Sequence, residues 1–171
     1  MVLPVLATDR LLLRPRCRQD LDAMATMDAD PEVARFVGGV PDAVLHRAEL
    51  ETWIDDPADT SGLGGWTVRP RNEPDRYLGW IILYTLEGWE GDVEIGWRFV
   101  RDAWGHGYAT EAAGAVMHHA FTGAGLDHVI AILDPENDRS RRVCEKLGMT
   151  SAGRRRAYDT DCALYVKQRP A

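Results

Sequence analysis

Hydrophobic and polar positions change period several times along the chain, and each change marks a predicted element. In TDRLLLRP (8–15), Leu11 and Leu13 fall on one face, which predicts a strand. RQDLDAMATM (18–27) suits a short helix, and Pro31 opens another helical stretch, PEVARFV, that GGVP breaks. DAVLHRAELETWI (42–54) is a third helical pattern, with Val44, Leu45, Ala48 and Trp53 at roughly helical spacing. After the loop DDPADTSGLGG the middle of the chain reads as a meander. Its strands are GGWTVRP (64–70), RYLGWIILYTL (76–86) and VEIGWRFV (93–100), separated by the turn-rich NEPD and EGWEGD. From Gly105 the period becomes helical. Ala109, Ala112, Ala113, Val116, Met117, Ala120 and Phe121 form one apolar stripe, with Gly123 or Gly125 as the cap. HVIAILDP (128–135) is an uninterrupted apolar run, as in a strand covered on both faces. NDRSRRVCEKLG predicts a short helix capped by Asn137 or Asp138 and stopped by Gly148, and two strands, TSAGRRRAY and CALYVKQR, close the chain. This order predicts a mixed α/β fold, helices on a sheet, in a single domain over residues 1–171.

Composition narrows the picture. No apolar run approaches the roughly 18 residues a membrane span needs, and MVLPVLATDR lacks the basic start and long apolar core of a signal peptide. Cys17, Cys144 and Cys162 are dispersed and odd in number, which points to a reducing, cytoplasmic setting rather than a disulfide framework. A net charge of −7 argues against general nucleic-acid binding and mildly favours cationic partners.

Candidate chemistry begins at WGHGYAT (104–110), where two glycines sit between a strand and a helix. A helix start offers unpaired N–H groups and the positive end of a dipole, and glycines let a phosphate approach the backbone closely. The plainer alternative is a loop whose glycines serve only its own turn. A P-loop is excluded because no Lys-Ser/Thr follows the glycines. A dinucleotide fingerprint would use Gly105, Gly107 and the acid Asp134. However, Thr110 replaces its third small residue, and too little chain follows to complete a doubly wound sheet.

A second motif, NDRSRRVCEKLGM (137–149), follows one strand later. Together with WGHGYATEA it resembles the GNAT acetyltransferase superfamily, most of all its Rim-type branch of ribosomal-protein N-terminal acetyltransferases and their relatives. TDRLLLRP and EIGW resemble that branch too, and the element order matches over essentially the whole chain. The resemblance implies a mostly antiparallel central sheet with helices on both faces. Its fourth and fifth predicted strands (93–100 and 128–135) would splay apart around acetyl-CoA, used as a co-substrate. It also implies that the amides of Gly105, His106, Gly107, Tyr108, Ala109 and Thr110 hold the pyrophosphate, with Trp104 in place of the family's usual Arg or Gln. The backbone of Phe99 and Val100 would pair with the pantetheine arm as an added strand does. A backbone N–H near the same two residues would meet the oxyanion, and Asn137 would bond the arm from the other side. CoA is a polyanion and the chain is acidic, so local cations must oppose the global charge; Arg101, His106, Arg139, Arg141 and Arg142 flank the site.

Acetyl transfer to an amine requires proton removal, oxyanion stabilisation, protonation of the thiolate and alignment of both substrates. Many family members use a Tyr as acid in Asn-x-x-Ala-x-x-x-Tyr. Here Ser140 takes the Ala position and Cys144 the Tyr position, so the usual acid is absent and Ser140 becomes the candidate. Glu94 is the candidate base, sharing a strand face with Gly96, Arg98 and Val100, and its ordinary pKa of about 4.3 would have to rise. Glu111 is the weaker rival. His118 and His119 lack a third ligand at fitting spacing, so no metal is expected. Phe36, Trp53, Trp80, Tyr84 and Trp97 are candidates to wall the acceptor pocket. The expected partner is an amine, either a small cationic molecule or a protein N-terminus. A homodimer is a further option, and neither nucleic acid nor membrane is expected. The missing Tyr keeps a second reading open, a non-catalytic acyl-CoA-binding module.

Overall fold

Among the described residues eight strands form one sheet in the order β1-β2-β3-β4-β5-β6-β8-β7. They are β1 (Leu6–Ala7), β2 (Leu11–Pro15), β3 (Gly64–Pro70), β4 (Gly79–Thr85), β5 (Val93–Phe99), β6 (His128–Leu133), β7 (Thr150–Ala157) and β8 (Thr160–Gln168). The computed structural model describes residues 3–55, 61–85, 88–89 and 91–170. Every strand pairing is antiparallel except β5 with β6, which run parallel and meet at the single register position Glu94↔Ile130. β1 is an eighth strand that the pattern of TDRLLLRP does not announce, because two residues carry no period. It pairs Leu6 with Leu13 across a tight turn.

The helices that follow Asp30, Asp42 and Asn137 start where a side chain satisfies free amides of the first turn. RQDLDAMATM divides into a 3-10 turn (Arg18–Asp20) and α1 (Leu21–Asp28). α2 (Pro31–Ala34) is shorter than its pattern, with Asp30 accepting from the Glu32 N–H and proline at its start. α3 (Ala43–Asp55) is capped by Asp42, which accepts from Val44 and Leu45. α4 (Tyr108–Thr122) follows Gly107, and α5 (Asp138–Lys146) follows Asn137, whose Oδ1 accepts the Ser140 N–H at 3.1 Å.

The two sheet faces carry different cores. On one, the α4 stripe packs with Leu11, Leu13, Trp66, Val68, Ile81, Leu83 and Ile95, joined by Cys144 of α5 and by Leu147 just after it. On the other, Leu21, Met24 and Met27 of α1 pack with Leu50 and Trp80, and a smaller cluster lies around Trp89 and Ile130. α3 corrects its sequence reading. Val44 and Leu45 are 79% and 67% exposed, while Leu50 and His46 face inward. His46 is buried because its Nε2 meets Asp28 at 2.7 Å, and Asp28 also takes Arg98 Nη1 at 2.7 Å. This ion network draws α3 to the sheet on a polar row, which an apolar-period search does not see.

Candidate active site

The site grows from a place where two neighbouring strands stop pairing. β5 and β6 share a single bridge and then part. The Val100 N–H donates to Leu78 O of the chain entering β4, at 3.0 Å. Alternation along the strand therefore turns the backbone groups of Trp97 and Phe99 toward the gap beside β6. Val100 departs from its expected role: its N–H serves Leu78 and its carbonyl accepts the Ala103 N–H at 3.0 Å. Trp97 and Phe99 are the residues whose backbones face the opening. The Phe99 carbonyl also accepts Trp104 Nε1 at 2.9 Å, so Trp104 anchors the loop to the strand.

At the mouth of the gap, Gly105 and Gly107 both take left-handed backbone, φ 80° and 79°. Around Gly105 a Cβ would meet nothing within 4 Å, and at Gly107 only Arg10 Nη2 at 3.6 Å. The glycines therefore present bare backbone to open space. Gly107 makes no side-chain cap for α4, so the first-turn amides of Tyr108, Ala109 and Thr110 meet no cap there. Such a start is suited to an anion. Arg10 is a cation that the sequence reading missed. Its Nη1 donates to His106 O at 3.1 Å, its guanidinium lies 4.8 Å over the Tyr108 ring, and it pairs with Glu111. His106 stacks on Tyr108 with ring centroids 5.7 Å apart. Ninety-odd residues of chain separate Arg10 from this loop, so only the fold brings them together.

Glu111 is fully engaged. It accepts from Thr8 Oγ1 at 2.5 Å and from Arg10 N and Nε at 3.1 and 2.7 Å. Burial pushes its carboxyl up, but the Thr8 and Arg10 donors outweigh that and hold it below the ordinary range. It ties the N-terminal segment to α4 and is a poor base. His119 is buried, with Nε2 2.9 Å from Gly62 O, and His118 is exposed.

Across the gap stand Asn137 and Ser140 at the start of α5. The Asn137 carbonyl oxygen caps the helix. Cys144, one turn further, is completely buried, and burial pushes its thiol up to about 12, so it cannot take over the absent tyrosine's role. Of the expected cations, Arg139 lies 4.2 Å over the Trp104 ring, which places it beside the glycine loop. Arg101 faces Asp30 at 3.6 Å, Arg141 is bound to Asp138 and Glu145, and Arg142 is exposed.

Glu94 lies at the bridge itself, 6% exposed. Its Oε2 accepts the Tyr158 hydroxyl at 2.5 Å. Burial pushes the Glu94 carboxyl above its ordinary range, and the Tyr158 hydrogen bond pulls it part of the way back. Tyr158 and Asp159 form the β7–β8 turn with φ 51° and 60°, a backbone that bulky residues rarely adopt. The phenol of Tyr158 is thus carried on a strained two-residue turn and placed on a carboxylate 64 residues earlier in the chain. TSAGRRRAYDT contains the cue, a two-residue turn between strands, but nothing in it points to Glu94.

The aromatic candidates divide. Trp80 is core, beneath the Arg98 guanidinium at 5.1 Å, and Trp97 packs against the α4 side. Trp53 and Tyr84 flank Arg16 near Glu94, and Phe36 lies under Arg35.

The acetyltransferase (GNAT) domain model matches residues 10–150. The chain belongs to the GNAT acetyltransferase family. As a member it is an acyltransferase, and the fold it shares binds acetyl-CoA. The uncharacterized N-acetyltransferase YnaD of Bacillus subtilis is 31% identical over 148 residues, 86% of this chain and 84% of its own. An acetyltransferase of Agrobacterium tumefaciens superposes with a TM-score of 0.85 at 25% identity, over 99% of this chain and 96% of the other. The ribosomal-protein-S5-alanine acetyltransferase of Vibrio fischeri shares the fold with a TM-score of 0.75 at 16% identity, over 96% of each chain. Among the described residues no helix is long and apolar enough to cross a membrane.

Proposed function

We propose that this GNAT enzyme transfers the acetyl group of acetyl-CoA directly to a primary amine, with Glu94 as the proton acceptor. The observation that carries the reading is a buried carboxylate with a raised pKa at the last paired position before β5 and β6 part. A base works best when its pKa lies near the working pH, and burial moves Glu94 that way. The amides of Gly105 to Thr110, with Arg10 and Arg139 beside them, suit the pyrophosphate of the donor. The gap-facing backbone of Trp97 and Phe99 suits the pantetheine arm, and an N–H there suits the oxyanion. Asn137, whose amide nitrogen lies beyond the cap, suits the arm from the α5 side.

In the reaction the amine nitrogen attacks the thioester carbon. A C–N bond forms, the C–S bond breaks, and Glu94 takes the amine proton. The departing thiolate regains a proton from the Ser140 hydroxyl or from water. The whole chain acting as one domain in a reducing, cytoplasmic compartment belongs to the same reading, and Cys17, Cys144 and Cys162 are free thiols.

Thiol release from acetyl-CoA, measured across a panel of amines and peptide N-termini, tests it. Glu94→Gln should lower turnover about 100-fold or more while acetyl-CoA affinity stays unchanged. Parent-like rates for that variant at every pH would remove Glu94 from the mechanism. The buried Cys144 at the usual acid position favours one second reading, an acyl-CoA-binding module without turnover. That reading requires stabilisation by CoA and no thiol release with any acceptor.

A further inference from the structure

The face of the sheet that carries Glu94 also carries a cation with no counter-ion among the described residues, and the register places the two on neighbouring rows. The Arg16 N–H donates to Gly65 O at 3.0 Å; Gly65 lies opposite Ile82, and Ile82 opposite Gly96. In the neighbouring row on the same face, Tyr84 lies opposite Glu94. Two of these positions are glycine, and both vacancies matter. A Cβ on Gly65 would fall 2.3 Å from Arg16 Nε and 2.5 Å from Cζ, so the guanidinium lies flat on bare backbone. A Cβ on Gly96 would strike Ile82 Cγ1 at 2.9 Å and stand 3.9 Å from Glu94 Oε1, so the Ile82 side chain lies over that glycine. The result is a shallow floor, Gly65–Ile82–Gly96, with Arg16 at one side and Glu94 at the other.

Arg16 is held, but not neutralised. Its Nη2 donates to the Tyr84 hydroxyl at 2.6 Å, and it lies against the rings of Tyr84 and Trp53 at 5.6 and 5.8 Å. Its Nη1 is buried and has no hydrogen-bond partner among the described residues. Among the described residues no carboxylate lies within ion-pair distance of it. Arg14, Arg69 and Arg98 on the same sheet each have Asp20 or Asp28. A half-buried guanidinium with a buried, unpaired Nη1 leaves part of its burial cost unmatched, and its planar fork matches the geometry of a carboxylate or a phosphate.

We propose that Arg16 receives an anionic group of the acceptor, so that the substrate is an amine bearing a carboxylate or similar anion a few carbon atoms away. The strand of Gly65 and the strand of Glu94 are two spacings apart, about 10 Å. Arg16 reaches across part of that span, to the Tyr84 hydroxyl. The amine end rests on the acetyl-transfer reading above, whereas the anion end rests on the surroundings of Arg16 alone. The acceptor is then not the purely cationic amine that the net charge of −7 favours, because the charge that decides is local.

Two measurements separate these ends. With acetyl-CoA saturating, 5-aminopentanoate is compared with 1-aminobutane, which lacks only the carboxylate, and with 1,5-diaminopentane. The parent should favour 5-aminopentanoate in kcat/KM by about 10-fold or more, as a charge-assisted pair allows. Arg16→Met should abolish that preference through KM and leave KM for acetyl-CoA unchanged, and Arg16→Lys should restore part of it. Independently of turnover, glutarate should raise the melting temperature of the CoA-saturated parent and not that of Arg16→Met. If Arg16→Met does not fold, Tyr84→Phe replaces it, and loss of the oxygen that orients Arg16 should weaken both effects several-fold. Preference for the butylamine or the diamine, or no Arg16-dependent response to glutarate, overturns the proposal. Glutarate binding through Arg16 without acetylation of any amine leaves the anion site standing and refutes the acetyl-transfer reading instead.

Discussion

Removing the Tyr158 hydroxyl isolates the feature that most shapes the site's chemistry. Tyr158→Phe keeps the ring and the turn and deletes one donor to Glu94 Oε2, at 2.5 Å. That donor favours the carboxylate form, so its loss raises the Glu94 pKa further above the ordinary range. A hydrogen bond to a charged group contributes about 1.5–3 kcal/mol, or roughly one to two pH units at 1.36 kcal/mol per unit. Tyr158 is 66% exposed, so water takes over part of the bond and the expected change is about one unit. The assay is the pH profile of kcat/KM for thiol release. Its acid limb should move up by about one unit, the plateau should change little, and the loss should be several-fold on the acid side of the limb. Superimposable profiles for parent and variant would refute the reasoning, for then either the limb does not report Glu94 or Tyr158 does not set its ionisation.

Three further outcomes follow from the same geometry. Gly107→Glu places a charged side chain on a φ of 79° beside the uncapped amides, and acetyl-CoA affinity measured by calorimetry should fall at least about 100-fold. Asp20 is fully buried, and burial alone would push its carboxyl up. Donors from Thr67, the Cys17 N–H and Arg69, with the Arg14 charge, hold it below the ordinary range instead. Asp20→Asn should cost about 3 kcal/mol or more by urea denaturation at neutral pH. Because a lowered carboxyl stabilises above its unfolded pKa, that gap should close only as pH falls below about 4. Glu94 has the opposite sign. Its raised carboxyl makes the parent lose stability as pH rises past the ordinary range, so Glu94→Gln should gain melting temperature over the parent at pH 7 and not at pH 4.

Much of the fold was legible because its elements carry their own periods. The α4 stripe, the meander of β3, β4 and β5, and the apolar run of β6 all follow from the spacing of side chains. α3 was legible as a helix but not in orientation. Its inward row is Leu50 with His46, and His46 is inward because Asp28 and Arg98 await it. Local spacing cannot register a partner on another element.

The site divides along the same line. Glycines between a strand and a helix are a local signal, so the loop at 105–107 could be read as an anion cradle from its own residues. Sequence by itself determined the family, the glycine pair ahead of a helix and the position of Glu94 on its strand. Tertiary structure decided that Val100 turns its N–H to Leu78 while Trp97 and Phe99 face the gap, since strand alternation has a phase that only pairing sets. It also decided which groups from distant parts of the chain meet: Arg10 with the glycine loop, Tyr158 with Glu94, and Arg16 with Tyr84. The physical reason is that hydrogen bonds and ion pairs act over a few ångströms of space, whatever length of chain lies between their partners.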